Sequence, residues 1–221
     1  MALAANALTT IATVKDELAV TSAADDSYIE RLINVYSGII EQLCDRKFGR
    51  AVDWTEKKPA EGATHLVLER TPIEGIKSIT YYGATIDPSV YEIDDATAGL
   101  VRFINSTYEA NLGARNTTVD SLPGTSRLFY LVTYTGGYVL PKDEAAAVGE
   151  TPAVVRTLPY DLEQACILGA VSAYRKRGRD RTVQSESLLG YSVTFARGGA
   201  GGDSLPIEAM AILQSYQRVI V

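Results

Sequence analysis

The chain has few of the residues that build most catalytic and metal sites. Its 221 residues include two cysteines, one histidine and one tryptophan. Two cysteines and one histidine at unrelated spacings cannot fill the four ligand positions of a zinc site. The sequence has no Gly-x-Ser-x-Gly motif and no cysteine–histidine nucleophile pair, and the glycine run at 198–202 lacks the Lys-Ser/Thr of a phosphate-binding loop. We therefore expect no enzymatic activity, no metal and no cofactor.

The remaining candidates for chemistry are one histidine and two acidic pairs. His65 lies in a strand-like run and is expected to be a structural or exposed strand residue rather than a base or ligand. Asp25-Asp26 and Asp94-Asp95 could suggest a cation site. Cap and turn roles fit these pairs better, because no loop of oxygen ligands surrounds them.

Long hydrophobic runs are also missing. No stretch approaches the roughly 20 apolar residues needed to cross a bilayer. The segment 1–6 has no basic region and is too weakly apolar for a signal peptide. Cys44 and Cys166 fall on apolar faces of predicted helices, which favours buried thiols in a reducing compartment over a disulfide between them. We expect a protein with no membrane partner.

Positive charge is scarce except in one place. The net charge is −6, from 21 basic and 27 acidic residues, and segment 175–181 holds five of the bases and one of the acids. That segment carries +4, which leaves −10 on the rest and argues against general nucleic-acid binding. The cluster could be a solvated helix end, a phosphate contact or a contact with an acidic partner; its bases are Arg175, Lys176, Arg177, Arg179 and Arg181.

Helical periodicity dominates both ends of the chain. Thr13–Asp16 resembles a capping box for a short helix through Leu18, and Asp25 or Asp26 could cap a longer one. The longer helix is expected to close on Arg46 and Lys47, and its apolar stripe is Ile29, Leu32, Ile33, Tyr36, Ile40 and Leu43. Pro159 starts a helix whose stripe of mostly small residues suits close packing: Leu162, Ala165, Cys166, Gly169, Ala173 and Tyr174.

The middle of the chain has strand-like runs separated by turn signals. We expect strands at 64–68, 76–82, 90–93, 100–104 and 128–134, with another candidate at 188–195. The predicted fold is α+β: a helical core with N-terminal helices, a long central helix and a C-terminal helix, and an inserted antiparallel β-sheet region. The predicted domains are 1–49 with 158–221 and, as the β-rich insertion, 50–157. Segments 105–127 and 141–157 fit no regular element.

The C-terminal segment combines a helix with an apolar tail. Pro206 starts the helix, and Ile207, Met210, Ala211, Leu213 and Tyr216 are expected to point mostly inward. The tail Val219–Val221 is apolar and β-prone. It could pack on its own domain or be donated to the sheet edge of a neighbouring protein.

These motifs, in this order, resemble the head–tail connector (adaptor) proteins of tailed double-stranded-DNA phages and gene transfer agents. The resemblance covers most of residues 10–218. It rests on Cys44–Phe48, Arg70–Ile73, Ile76–Ile79, Tyr91–Asp94, Gly99–Arg102, Val132–Tyr138, Leu158–Ala165, Gln184–Phe195 and Pro206–Arg218.

The resemblance implies a structural protein of the virion neck, assembled in the host cytoplasm. Family members form a ring, a dodecamer, that binds the portal protein, extends the channel through which double-stranded DNA passes non-specifically, and carries a stopper or tail-completion protein. It also implies that the C-terminal region docks on the portal; its residues here are Pro206, Ile207, Tyr216, Arg218, Val219, Ile220 and Val221. The alternative is a tail-completion protein or another phage neck or tail module.

Overall fold

The computed structural model describes residues 2–60, 65–81, 83–104, 129–145, 154–177, 185–188, 191–194 and 205–218, with backbone alone at 185–188 and 191–194. The described residues form two compact units. The helical unit is drawn from Met1–Cys44, Leu140–Ala153 and Leu158–Gln217, and the β unit from Asp45–Val139, Val154–Thr157 and Arg218–Val221.

The elements alternate between helical and β-rich stretches along the chain. In chain order they are α1 (Ile11–Leu18), α2 (Asp26–Cys44), β1 (Ala51–Pro59), β2 (His65–Val67), β3 (Ile73–Tyr81), β4 (Ala84–Thr85), β5 (Tyr91–Asp95), β6 (Leu100–Phe103), β7 (Phe129–Gly136), α3 (Tyr160–Arg175), β8 (Ser185–Leu188), β9 (Tyr191–Thr194) and α4 (Ile207–Gln214). The α+β fold class is confirmed.

The N-cap of the first helix lies three residues before the predicted one at Thr13. The N-cap of α1 is Thr10, whose hydroxyl accepts the backbone N–H of Thr13 at 3.2 Å. Asp25 does not cap α2, because a 3-10 turn at Ala23–Asp25, capped by Ser22, precedes that helix. The expected start at Thr13 was therefore wrong, and Asp25 has another role, described below.

The end of α2 also differs from the expectation. The helix stops at Cys44, and Asp45 follows it in the left-handed region with φ of +50°. Arg46 and Lys47 therefore lie outside the helix and do not complement its dipole. Arg46 instead forms a hydrogen bond within the β unit, where its guanidinium donates to the carbonyl of Thr97 at 2.6 Å.

The core of the helical unit is built where α2 and α3 present small or apolar side chains. The predicted stripe of α2 is buried except for Leu43, which is exposed, while Cys44 beside it is buried. On α3, a Cβ added at Gly169 would lie 2.6 Å from Cδ1 of Tyr36 and 2.8 Å from Cδ2 of Leu205. The predicted close packing of the small-residue stripe is thus confirmed at Gly169. Both cysteines are free and buried.

An N-terminal segment completes this core, and the sequence pattern did not reveal it. Ala7 and Leu8 are fully buried. The N–H of Leu8 donates to the hydroxyl of Ser37 at 3.0 Å, and the hydroxyl of Thr9 donates to buried Glu163 at 2.8 Å. The segment is therefore part of the packed interior and not a loose terminus.

The β unit contains two antiparallel sheets. One has the strand order β1-β7-β3-β4 and the other has the order β2-β6-β5, and β8 and β9 in the helical unit pair with each other as a hairpin. The strand predicted at 188–195 is thus one half of a two-stranded pair. The apolar cluster of the β unit includes Ile79, Val101, Tyr130, Val132 and Tyr134, all nearly or fully buried.

Strand β1 was not predicted, and its inward positions explain why. Glu56 pairs with Val132 and Lys58 with Tyr130, so both charged side chains share the buried face of the sheet. The Lys58 ammonium lies 3.3 Å from Glu56 and 3.6 Å from Glu69, which compensates the burial of these charges. A strand with charged inward residues has no alternating apolar signal.

Candidate functional site

The C-terminal helix exposes much of its apolar surface. Pro206 is the N-cap of α4, and the buried side chains of the helix are Ala209 and Leu213. Ile207 is 85% exposed and Met210 is 39% exposed, so the expectation that these residues point inward was wrong. The outward residues leave an apolar face available for contact with another molecule.

The two polar residues predicted for docking are both held by contacts within the chain. In the helical unit, the hydroxyl of Tyr216 donates to Asp161 at 2.7 Å. In the β unit, the guanidinium of Arg218 lies 3.2 Å from Asp45 and donates to the carbonyl of Val67 at 2.9 Å. These contacts fix the chain up to Arg218. Val219, Ile220 and Val221 lie outside the described residues.

The basic end of α3 is partly neutralised inside the helical unit. Arg177 forms an ion pair with Asp25, and the hydroxyl of Tyr174 donates to the same carboxylate at 2.7 Å. The hydrogen bond from Tyr174, followed by that from Arg177, lowers the pKa of Asp25. The guanidinium carbon of Arg177 also lies 4.6 Å from the ring centre of Tyr28, a cation–π distance.

The other bases of this cluster differ in position. Arg175 is the last residue of α3 and Lys176 is its C-cap, and both are exposed. Arg179 and Arg181 lie outside the described residues. Arg175 and Lys176 are therefore the described cations of the cluster that can meet an anionic partner, while Arg177 serves to hold the helix end against Asp25.

The sequence pattern did not predict a further surface in the β unit. Strand β1 carries a bulge between Ala51 and Trp54, where Asp53 has a φ of +53°. Val52 is 61% exposed and Trp54 is 39% exposed on either side of it. The guanidinium carbon of Arg70 lies 4.3 Å from the ring centre of Trp54. We call Val52, Asp53, Trp54 and Arg70 the β1 bulge patch.

The candidates for catalysis and metal binding take structural positions. His65 opens β2. Asp95 accepts the backbone N–H groups of Thr97 and Ala98 at 2.8 and 2.9 Å, which is a turn role. Within the described ranges, His, Cys, Asp and Glu side chains nowhere gather in threes as metal ligands would. No described helix combines the length and apolarity required to span a bilayer.

Comparison with known proteins gives a consistent result. The head completion protein family matches residues 7–219. The fold is similar to a chain in the neck of an empty gene transfer agent particle, computed with C6 symmetry, with 16% identity, a TM-score of 0.53 and coverage of 100% of this chain and 94% of that one. It is equally similar, at 13% identity and the same coverages and TM-score, to a chain in the virion of a native gene transfer agent particle. No curated protein sequence matches this chain.

The family match spans nearly the whole chain and includes both units. It agrees with the resemblance to head–tail connector proteins drawn from the sequence motifs. The chain therefore belongs to the head completion protein family, whose members are structural proteins of phage-like virions.

Proposed function

We propose that this protein is a head–tail adaptor. Copies form a ring, a dodecamer by the family resemblance, that binds the portal vertex, extends the DNA channel and carries a stopper or tail-completion protein. The observation that supports this most is the family match over residues 7–219, joined to a fold shared along the whole chain with a protein of a gene transfer agent neck. The role is structural and not enzymatic.

We assign portal docking to the C-terminal segment. The support is the outward apolar face of α4, where Ile207 is 85% exposed, followed by the anchored Arg218 and the apolar residues 219–221. An exposed large aliphatic side chain gains free energy when a partner covers it. Residues 1–49 and 158–221 would then form the docking domain, with 50–157 as the insertion.

We assign a second contact, with DNA or with a neighbouring subunit, to the basic end of α3. Arg175 and Lys176, with Arg179 and Arg181 beyond them in the sequence, would contact either passing DNA or a neighbouring subunit. Few cations on an acidic chain suit a channel, because every neutralised phosphate adds affinity that would slow the DNA.

Binding to purified portal rings tests the docking assignment. Ile207→Ser and deletion of residues 219–221 should each weaken portal binding about tenfold, the effect of losing roughly 1.4 kcal/mol. Val35→Ser is the matched control, because Val35 is also an exposed aliphatic residue, on α2. Thermal melting shows whether the variants still fold. Portal binding at wild-type strength by both test variants would refute the docking assignment.

A cryo-EM map of the particle tests the adaptor role itself. Density for this chain in a ring directly against the portal is the expected result. Density further along the tail, without portal contact, would favour the alternative of a tail-completion protein. A particle that assembles without the chain would refute a structural role.

A further inference from the structure

The β1 bulge patch is built around an irregularity in its strand. Asp53 occupies the left-handed region, with φ of +53°, which aspartate adopts more readily than most residues. A β-bulge bends its strand and changes the direction of the side chains there, and Val52 and Trp54 flank this one. Here the N–H of Asp53 donates to the hydroxyl of Thr135 at 3.3 Å, and its carboxylate pairs with Lys77.

The patch presents apolar side chains from a rigid base. Val52 is 61% exposed, and Trp54, the only tryptophan in the chain, is 39% exposed and stacked against Arg70. Arg70 is itself fixed, because its guanidinium donates to the carbonyl of Gly49 and its backbone N–H donates to the hydroxyl of Tyr134. Rigid tryptophan and arginine side chains are the residue types that dominate binding energy in protein interfaces.

Four charges around the patch form two ion pairs, and Arg70 adds a cation stacked on Trp54. The guanidinium of Arg50 binds Glu74 through two hydrogen bonds of 2.7 and 2.8 Å, and Asp53 pairs with Lys77. An apolar centre with a rim of paired charges is the composition of a protein–protein interface.

We infer that the β1 bulge patch is a contact surface for a second copy of this chain. The inference rests on the proposed ring function. Copies that each carry −6 repel one another on average, so close approach is favoured at a surface without net negative charge. The charges named at the patch sum to +1, from Arg50, Arg70 and Lys77 against Asp53 and Glu74, which suits contact with an acidic copy. In a cyclic ring the contact is heterologous, so the patch meets a different surface of its neighbour.

Site-specific photo-cross-linking in assembled particles tests this. A photoreactive amino acid, p-benzoylphenylalanine, replaces Val52, and the same replacement of Val35 on α2 is the matched control. The expected product is a cross-link at position 52 between two copies of this chain, identified by mass spectrometry. A cross-link from position 52 to another virion protein, or no cross-link from a chain present in the particle, would overturn the inference. Absence of the chain from the particle would instead overturn the proposed function.

Self-association of the purified full-length protein gives a second readout. Val52→Glu places a charge in the patch and should raise the dissociation constant between copies by about tenfold or more in sedimentation velocity. Val35→Glu adds the same charge elsewhere and should leave it within about twofold. Equal effects of the two variants, or none from Val52→Glu, would count against a contact at the patch. Because Val52 is exposed, the variant is expected to fold, and circular dichroism checks this.

Discussion

Glu56 is a carboxylate held almost out of water on the inner face of β1. Its pKa is raised, first by burial and then by the nearby charge of Glu69, while Lys58 acts in the opposite direction. A group whose folded-state pKa is raised binds its proton more tightly in the folded state. Its favourable contribution is therefore complete below the ordinary value of 4.5 and is lost as pH rises through the folded-state pKa.

Replacing Glu56 with glutamine should remove this pH dependence. The free energy of unfolding of Glu56→Gln minus that of wild type should increase as the pH rises from about 4 to 7, because the variant lacks the buried charge that destabilises the wild type. Chemical denaturation at a series of pH values measures the difference. Glu74→Gln is the control with the opposite sign, because Arg50 lowers the pKa of Glu74 and its contribution is lost as the pH falls. A constant difference between wild type and Glu56→Gln across this range would show that burial does not govern the titration.

At the scale of elements, two helical glycines differ in what surrounds them. A methyl group at Gly169 on α3 would collide with the ring of Tyr36, whereas one at Gly38 on α2 would have nothing within 4 Å. Gly169→Ala should therefore cost about 1–3 kcal/mol of stability from overpacking, less the helix-propensity gain. Gly38→Ala should stabilise by about 0.5–1 kcal/mol, because alanine favours the helix.

Urea unfolding of the two glycine variants checks this pair. Opposite signs are the expected result. If Gly169→Ala proved as stable as Gly38→Ala, the helices would have room to separate and the close approach at Gly169 would not be required.

Elements with a regular pattern could be predicted from the sequence, and the others could not. The apolar stripe of α2 and the predicted runs behind β2, β3, β5, β6 and β7 matched the structure to within a few residues. Strand β1 was not predicted, because its inward positions carry the charged residues Glu56 and Lys58. On α4, Leu213 is buried as predicted, whereas Ile207 and Met210 are exposed. Apolar residues occupy six of the eight positions of this short helix, so periodicity does not single out its buried face.

The candidate surfaces were predictable to different degrees. The basic cluster is visible in the sequence as a run of bases. The sequence does not show which of these bases is neutralised, because Asp25, which pairs with Arg177, lies 152 residues away. The β1 bulge patch left no local signal, because a left-handed aspartate and a tryptophan–arginine stack depend on the register of β1 against β7 and on Arg70. The portal-docking role of the C-terminal segment stays a prediction.

At the scale of the whole molecule, net charge sets opposite salt dependences for two kinds of association. Copies of a chain with a charge of −6 repel, so screening should strengthen self-association as the salt concentration rises. Binding to duplex DNA should weaken as the salt concentration rises. If both Arg175 and Lys176 contact phosphates, the double variant Arg175→Gln, Lys176→Gln should reduce the slope of log K against log salt concentration by about two. Sedimentation velocity and fluorescence anisotropy measure the two trends.

The control for the DNA measurement is Lys57→Gln, which removes an exposed lysine from β1. This variant should keep the wild-type slope. An unchanged slope in the Arg175 and Lys176 variant would assign that end of α3 to a partner subunit or to solvent. Self-association that weakens with salt would indicate an interface held by opposite charges.

The hydrogen bond between Thr9 and Glu163 has a consequence for the order of events during synthesis. The two residues are 154 positions apart, so Thr9 leaves the ribosome long before its partner exists. The β unit, drawn mostly from the continuous stretch Asp45–Val139, can finish folding in that interval, because domains fold as units while the chain emerges. The helical unit, which needs both α2 and α3, closes last. Thr9, made before the β unit, thus reaches its native partner only after that unit can fold.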